Sequence, residues 1–330
     1  MAKIVLGIGT SHGPLLSTPP DMWHLRAEWD RSQIHPYQGR GYSYEELRTA
    51  RRGENLEAQI TPEQRRRRFD ACQVAIEKLA QVWAAAKPDV AVIFGNDQME
   101  IFGDTLIPAF SVMHGERIVN SEMSEARRAK LPPGIAEAAA GHIPPGGANY
   151  PGSPELAHHI VTSLMLDNFD VAVMKKFPTD ETPHAFGFIY RRVMRDSPVP
   201  SVPLLQNTFF PPNQPSSGRC YRFGRSVAKA VQNWKSDASV ALFASGGLSH
   251  FVIDEQLDLA LLEALRKGSA DQLTGIREEL LQSGSSEMKN WIALAGAIAE
   301  TELDFRLVNY VPCYRSEAGT GTANAFVFWR

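Results

Sequence analysis

The chain carries short apolar runs that each end abruptly in polar turns containing glycine or proline. The clearest run is Val90-Ala91-Val92-Ile93-Phe94, which leads directly into Gly95-Asn96-Asp97-Gln98-Met99-Glu100. An uninterrupted apolar run rich in β-branched residues predicts a strand covered on both faces, because such a strand has no reason to alternate. Similar runs predict further strands at residues 3–8, 169–174, 200–205 and 239–244.

Helical patterns lie between these predicted strands. Residues 62–86 have an apolar stripe of helical period, and Ser153-Pro154-Glu155 is a typical helix start, with Ser153 as the N-cap. Strands that alternate with helices predict an α/β fold, with a largely parallel mixed central sheet and helices on both faces. We expect one domain over 1–330. Its irregular excursion, at about 19–60, would wall one side of a pocket.

Composition narrows the class of protein. The 330 residues are 43% hydrophobic and 22% charged, and the net charge of -3 provides no general attraction to nucleic acid or anionic lipid. No apolar run approaches membrane-spanning length, and the N-terminal run is too short for a signal peptide. The three cysteines are far apart in sequence, which argues against a disulfide framework or a thiolate zinc site. We therefore expect a soluble cytoplasmic protein.

Histidines follow three of the predicted strands. His12 lies in the turn Gly9-Thr10-Ser11-His12-Gly13-Pro14, His184 follows Pro183, and His250 ends the turn Ser245-Gly246-Gly247-Leu248-Ser249-His250. One such histidine is more often a core or loop residue than a ligand, but the repetition favours convergence on one site. Neutral imidazole with carboxylate suits Fe(II), Mn(II) or Zn(II), and the segment after His250 offers Asp254, Glu255 and Asp258.

Two other kinds of site are less well supported. A Ser-His-Asp hydrolase could use Ser11 or Ser249 as its nucleophile, but neither serine lies in a G-x-S-x-G elbow. The Gly246-Gly247 pair has too few glycines for a phosphate-binding loop.

Taken together and in order, these motifs resemble those of the class III extradiol ring-cleaving dioxygenases, of the protocatechuate 4,5-dioxygenase β-subunit and gallate dioxygenase type. The resemblance covers nearly the whole chain. Its motifs are Ser11-His12-Gly13-Pro14, Asn96-Asp97-Gln98 with Phe102, Pro154-Glu155-Leu156-Ala157-His158-His159, Pro183-His184-Ala185-Phe186, Ser245-Gly246-Gly247-Leu248-Ser249-His250 and Glu287-Met288-Lys289-Asn290-Trp291.

The resemblance implies roles for individual residues. His12 corresponds to a metal ligand of the family, and Glu255 is the best match to the ligand carboxylate. His184 corresponds to the acid/base histidine and His159 to a further pocket histidine. Asn207 and Thr208 are additional candidates for binding polar groups of the substrate, although this pair could equally shape its own turn.

The chain departs from the family pattern at one metal ligand. Gln98 stands where the family has its second histidine, and a neutral amide oxygen binds a divalent ion more weakly than imidazole does. Glu100 would project to the same side of an extended backbone and is the alternative carboxylate ligand, with His250 as a fallback.

The implied function is cleavage of a catechol-type ring by O2 at a mononuclear Fe(II) site, in a homo-oligomer such as a dimer. Two alternatives stay open. One is a Zn(II)-dependent hydrolase or isomerase on the same scaffold, and the other is a non-catalytic metal-binding relative. Retention of both His12 and His184 counts against the second alternative, because a protein released from catalysis has no need of a general base.

Overall fold

The computed structural model describes residues 1–330. In chain order the strands are β1 (Lys3–Thr10), β2 (His35–Tyr37), β3 (Arg40–Tyr42), β4 (Val90–Gly95), β5 (Phe110–Met113), β6 (Arg117–Asn120), β7 (Ala148–Pro151), β8 (Ala172–Met174), β9 (Ser201–Gln206), β10 (Ser239–Ser245), β11 (His250–Val252), β12 (Phe305–Tyr314) and β13 (Thr320–Trp329). The α-helices are α1 (Trp23–Asp30), α2 (Tyr44–Ala50), α3 (Pro62–Ala86), α4 (Glu125–Arg128), α5 (Pro154–Leu166), α6 (His184–Phe188), α7 (Ser217–Asn233), α8 (Glu255–Lys267), α9 (Ala270–Thr274) and α10 (Met288–Ile298).

A nine-stranded sheet runs through the centre of the molecule in the order β11-β13-β1-β10-β4-β9-β5-β8, with β12 paired to β13. Strands β1, β10, β4 and β9 are mutually parallel, whereas β5 and β13 run antiparallel to their neighbours β9 and β1. The predicted α/β fold with a largely parallel mixed sheet is confirmed.

Helices cover both faces of this sheet. Side chains of β4 divide between two hydrophobic clusters, Val92 joining the one that contains α5, α7 and α10, and Ile93 joining the one that contains α3 and α6. Both side chains are fully buried, which is the physical reason why β4 shows no polar alternation.

The termini of α3 agree with the predicted helix. The Oγ1 of Thr61 accepts a hydrogen bond from the backbone N–H of Gln64, and Pro62 occupies the first turn. The helix ends at Ala86 because Lys87 adopts a left-handed conformation with φ of 47°.

Helices α7 and α10 pack with their backbones in close approach. A methyl group on Gly224 would overlap the carbonyl oxygen of Ala293, and one on Gly296 would overlap that of Tyr221. Each helix therefore uses a glycine where the other helix passes.

Three features were not predicted. The long strands β12 and β13 form the C-terminal part of the sheet. The excursion at about 19–60 is not uniformly irregular, because it contains α1, α2 and the β2-β3 ribbon. Cys72 and Cys313 lie with their sulfurs 3.9 Å apart as buried free thiols.

No helix combines the length and the apolar character needed to cross a membrane.

Candidate metal centre

The site forms where three neighbouring parallel strands end. Because β10 lies between β1 and β4, the chain leaving each strand supplies a polar side chain to the same edge of the sheet. His12 follows β1, Ser245 is the last residue of β10, and Asn96 follows β4. All three side chains are buried.

Glu287 lies against these strand ends, at the end of a short 3-10 helix directly before α10. Its Oε1 accepts hydrogen bonds from Asn96 Nδ2 at 3.2 Å and Gln98 Nε2 at 2.8 Å. Its Oε2 accepts from the backbone N–H of Gly247 at 2.7 Å. The side chain is only 1% exposed, so these donors hold a buried carboxylate in one orientation.

The hydrogen bonds of His12 define its tautomer. The Oγ of Ser245 lies 2.6 Å from the carbonyl oxygen of Ala185 and 2.8 Å from His12 Nδ1. The carbonyl can only accept, so the single hydroxyl hydrogen goes to Ala185 and His12 donates from Nδ1. A neutral His12 then carries its lone pair on Nε2, which lies 3.1 Å from Glu287 Oε2.

Two electron-rich atoms on buried side chains therefore face each other. Burial lowers the pKa of His12, although Glu287 acts in the opposite direction, so the neutral ring is favoured. Hydrogen bonds from Asn96, Gln98 and the backbone N–H of Gly247 favour the charged form of Glu287. A neutral imidazole and a carboxylate in contact form a donor set for a cation, and His12 Nε2 has no other hydrogen-bond partner.

His184 is the third member of the cluster. One ligand atom from each of His12, His184 and Glu287 lies within 4.8 Å of the others. His184 does not follow a strand as expected. Pro183 is the N-cap of α6, and His184 is the first residue of that helix. The start of α6 therefore places His184, where a strand end was expected. Its ring centroid lies 4.5 Å from that of His12.

Glu100 orients His184 through two hydrogen bonds. Oε1 accepts the backbone N–H at 3.0 Å, and Oε2 accepts Nδ1–H at 2.9 Å, which leaves Nε2 of His184 for the site. Burial lowers the pKa of His184, but the charge and hydrogen bond of Glu100 outweigh it and raise the pKa to about 9. Asp97 fixes this loop by accepting the backbone N–H groups of Glu100, Ile101 and Phe102.

The sequence-predicted residues after β4 thus reach the site but contact other side chains there. Gln98 donates to Glu287, and Glu100 accepts from His184. His250 also borders the site, because its Nε2 lies 3.6 Å from Glu287 Oε2 while its Nδ1 lies 2.8 Å from the carbonyl oxygen of Leu248.

The structure does not bring four other predicted residues into the cluster. Glu255 begins α8 as an exposed residue and accepts a hydrogen bond from the Tyr314 hydroxyl at 2.7 Å. His159 lies between helices and donates from Nε2 to the carbonyl oxygen of Ala230 at 2.9 Å. Asn207 accepts the N–H of Phe210 within its own turn, and the adjacent Thr208 is fully buried. Glu287 stands where a carboxylate was expected from Glu255.

A cavity of about 460 Å³ opens over the cluster and is lined by His12, His184, His250 and Glu287 among other residues. His142 also lines it, with its ring centroid 5.9 Å from that of His184. Burial lowers the pKa of His142 to about 3, so its ring is neutral. Nothing in the sequence around His142 predicted this position, because it lies in a stretch without clear periodicity. The pocket histidine was expected at His159.

Comparison with known proteins identifies the family of this chain. Residues 56–328 match a family described as the catalytic LigB subunit of aromatic ring-opening dioxygenase, and the chain belongs to this family. The resemblance drawn from the sequence motifs is confirmed at the level of the family.

Two curated relatives carry more specific names. The gallate dioxygenase of Pseudomonas putida strain KT2440 is 33% identical over 117 residues, which are 34% of this chain and 32% of the relative. The 2,3-dihydroxyphenylpropionate/2,3-dihydroxicinnamic acid 1,2-dioxygenase of Comamonas testosteroni is 27% identical over 183 residues, 54% of this chain and 49% of the relative. The chain thus matches about a third and about a half of the lengths of these relatives.

Proposed function

We propose that this protein is a metal-dependent ring-opening dioxygenase that cleaves a catechol-type ring with O2 at a mononuclear Fe(II) site. The observation that carries the proposal is the buried contact of His12 Nε2 with Glu287 Oε2 at 3.1 Å, with no hydrogen on the nitrogen to bridge the gap. Membership of the family supplies the class of reaction.

His12 and Glu287 are the proposed ligands, and Glu287 replaces Glu255 in this role. Imidazole nitrogen and carboxylate oxygen suit Fe(II), Mn(II) and Zn(II), and the resemblance to extradiol enzymes favours Fe(II). Iron held by His12 and Glu287 would supply Lewis-acid and redox chemistry for the reaction of the ring with O2. Asn96 and Gln98 keep Glu287 in place by donating to its Oε1.

His184 is the proposed acid/base group. Glu100 holds its Nδ1–H and directs Nε2 into the site. With a pKa of about 9 the ring carries a proton on Nε2 at neutral pH, so His184 would first give this proton up, then accept one from a substrate hydroxyl and return it when the ring opens. The three ligand atoms lie close enough for His184 to be a third metal ligand instead. Met123, Ile135 and Phe188 line the same cavity and provide apolar contact for an aromatic ring.

The central test is metal content after anaerobic purification, followed by O2 uptake with dihydroxybenzoates. Wild-type protein should contain close to one iron per chain, and His12→Ala and Glu287→Gln should lose it without unfolding. Glu255→Gln is the matched carboxylate control and His158→Ala the matched imidazole control, since both residues are exposed. Full iron retention by His12→Ala and Glu287→Gln would refute the ligand assignment.

A second variant separates the two roles of His184. His184→Phe should keep the iron and lose turnover if the residue is the acid/base group, whereas loss of the iron would make it a ligand. Bound zinc with no O2 uptake would instead favour a hydrolase or isomerase. This alternative stays open because Gln98 stands where the family has a histidine ligand.

A further inference from the structure

Arg26 is a buried arginine in the cavity of the proposed metal centre that makes no hydrogen bond. It lies on α1, is only 7% exposed and lines the cavity with His12, His184 and Glu287. Its Nε and Nη1 are inaccessible to solvent and have no partner. An unpaired buried guanidinium is costly to fold around, so its presence on a cavity wall points to a ligand group of opposite charge.

The nearest carboxylate is already fully engaged. Asp30, one helical turn further along α1, accepts from Arg315 Nε at 2.6 Å and from Arg315 Nη2 at 2.8 Å. It also accepts the hydroxyl of Thr320 at 2.6 Å. Asp30 attracts the charge of Arg26 as well but makes no hydrogen bond to it, and one carboxylate between two guanidinium groups leaves a net positive charge.

The other two arginines that line the cavity are both paired, Arg315 with Asp30 and Arg127 with Glu181. Burial, together with the charge of Arg315, lowers the pKa of Arg26 to about 10, which still leaves it charged at neutral pH. Arg26 is thus the one uncompensated guanidinium in a cavity of about 460 Å³, a volume that suits a single substituted ring.

We propose that Arg26 is the specificity-determining residue that binds a carboxylate on the aromatic ring of the substrate. This inference rests on the proposed function and deepens it, because it selects dihydroxylated aromatic acids over neutral catechols. The planar fork of a guanidinium matches the two oxygens of a carboxylate, and the buried setting removes competing water.

The test compares 3,4-dihydroxybenzoate with 3,4-dihydroxybenzamide, in which a neutral amide replaces the ring carboxylate. For the iron-loaded wild type, kcat/KM should be about 10- to 100-fold higher for the acid. Arg26→Met should lower kcat/KM for the acid by that factor and leave kcat/KM for the amide nearly unchanged. For the acid, kcat/KM of Arg26→Lys should lie between the values of wild type and Arg26→Met. An equal loss for both compounds would overturn the assignment.

Two further measurements keep this result separate from the proposed reaction and from folding. Calorimetry under argon reports binding without turnover. If neither compound is cleaved, the proposed function fails. Tighter binding of the acid than of the amide, lost in Arg26→Met, would still support the proposed role of Arg26. Equal binding of the two compounds would refute that role. Because Arg26→Met removes an unpaired buried charge, it should unfold at the same or a higher denaturant concentration than wild type. A lower midpoint would indicate a structural role and overturn the inference.

Discussion

Replacing Gly224 by alanine should destabilise the protein, although alanine favours a helix more than glycine does. Gly224 is buried at the crossing of α7 and α10, where an added methyl group would overlap the carbonyl oxygen of Ala293. That oxygen belongs to the backbone of α10, so it cannot turn away as the end of a flexible side chain could. The two helices must separate to admit the methyl group.

The magnitude follows from two opposing effects. Overpacking a well-packed core costs about 1–3 kcal/mol, and a clash with backbone belongs near the upper end of that range. The gain in helix propensity from glycine to alanine offsets about 1 kcal/mol. We therefore expect the free energy of unfolding of Gly224→Ala to be about 2 kcal/mol lower than that of wild type.

Gly218→Ala is the matched control, because it is the same change in the same helix. The nearest atom to an added methyl group there is Arg222 Nη1 at 3.6 Å, an ordinary contact. This variant should be unchanged or more stable by up to about 1 kcal/mol. Urea denaturation followed by far-UV circular dichroism measures both variants. If Gly224→Ala is as stable as Gly218→Ala, the close approach of the helices does not constrain the fold as we describe.

Three other predictions follow from buried groups and from the family. Asp30→Asn should cost about 3–5 kcal/mol of stability because it leaves Arg315 buried without its counter-charge, and a loss below about 1 kcal/mol in urea denaturation would contradict this. Burial raises the pKa of Asp258 to about 7 despite hydrogen bonds from Ser249 and Tyr310. The contribution of Asp258 to stability is therefore present below pH 4 and is lost as the pH rises to about 7. The loss is at most about 1.4 kcal/mol per pH unit. The difference in the free energy of unfolding between wild type and Asp258→Asn, measured against pH, should show this slope. A homo-oligomer is expected from the resemblance, and light scattering on the purified protein would show a single-chain mass if this is wrong.

Much of the central sheet could be predicted because its signal is local. The apolar runs of β1, β4 and β10 are continuous, and the polar residue that follows each run lies at the edge where ligands gather. His12 was identified in this way. The strands β12 and β13 were missed because no comparable apolar run was recognised in the C-terminal segment.

Glu287 could not be chosen over Glu255 from the sequence alone. Glu255 follows His250 closely, but the chain turns away into α8, where Glu255 is exposed. The chain returns to His250 only at the segment before α10, where Ser285 Oγ accepts the N–H of His250 at 3.1 Å. Such a return depends on tertiary packing, which leaves no local pattern of apolar and polar residues.

The roles of His142 and Arg26 were missed for a related reason. Both lie in stretches of weak periodicity, and their importance depends on what surrounds them after folding. His142 faces His184, and Arg26 faces a cavity while its neighbour Asp30 is engaged elsewhere. An unpaired group can be recognised only when all of its possible partners have been placed.

The first strand of the chain lies in the middle of the sheet, and this affects when the protein can fold during synthesis. Strand β1 pairs with β10 and β13, so Lys3 meets Ser239 and Gly7 meets Trp329. A ribosome makes the N-terminal strand first, and its apolar residues must wait for nearly the whole chain before both edges are paired. His12 can meet Glu287 only after the segment that contains Glu287 has also been made. We expect the nascent chain to need protection from aggregation until its last strand has emerged.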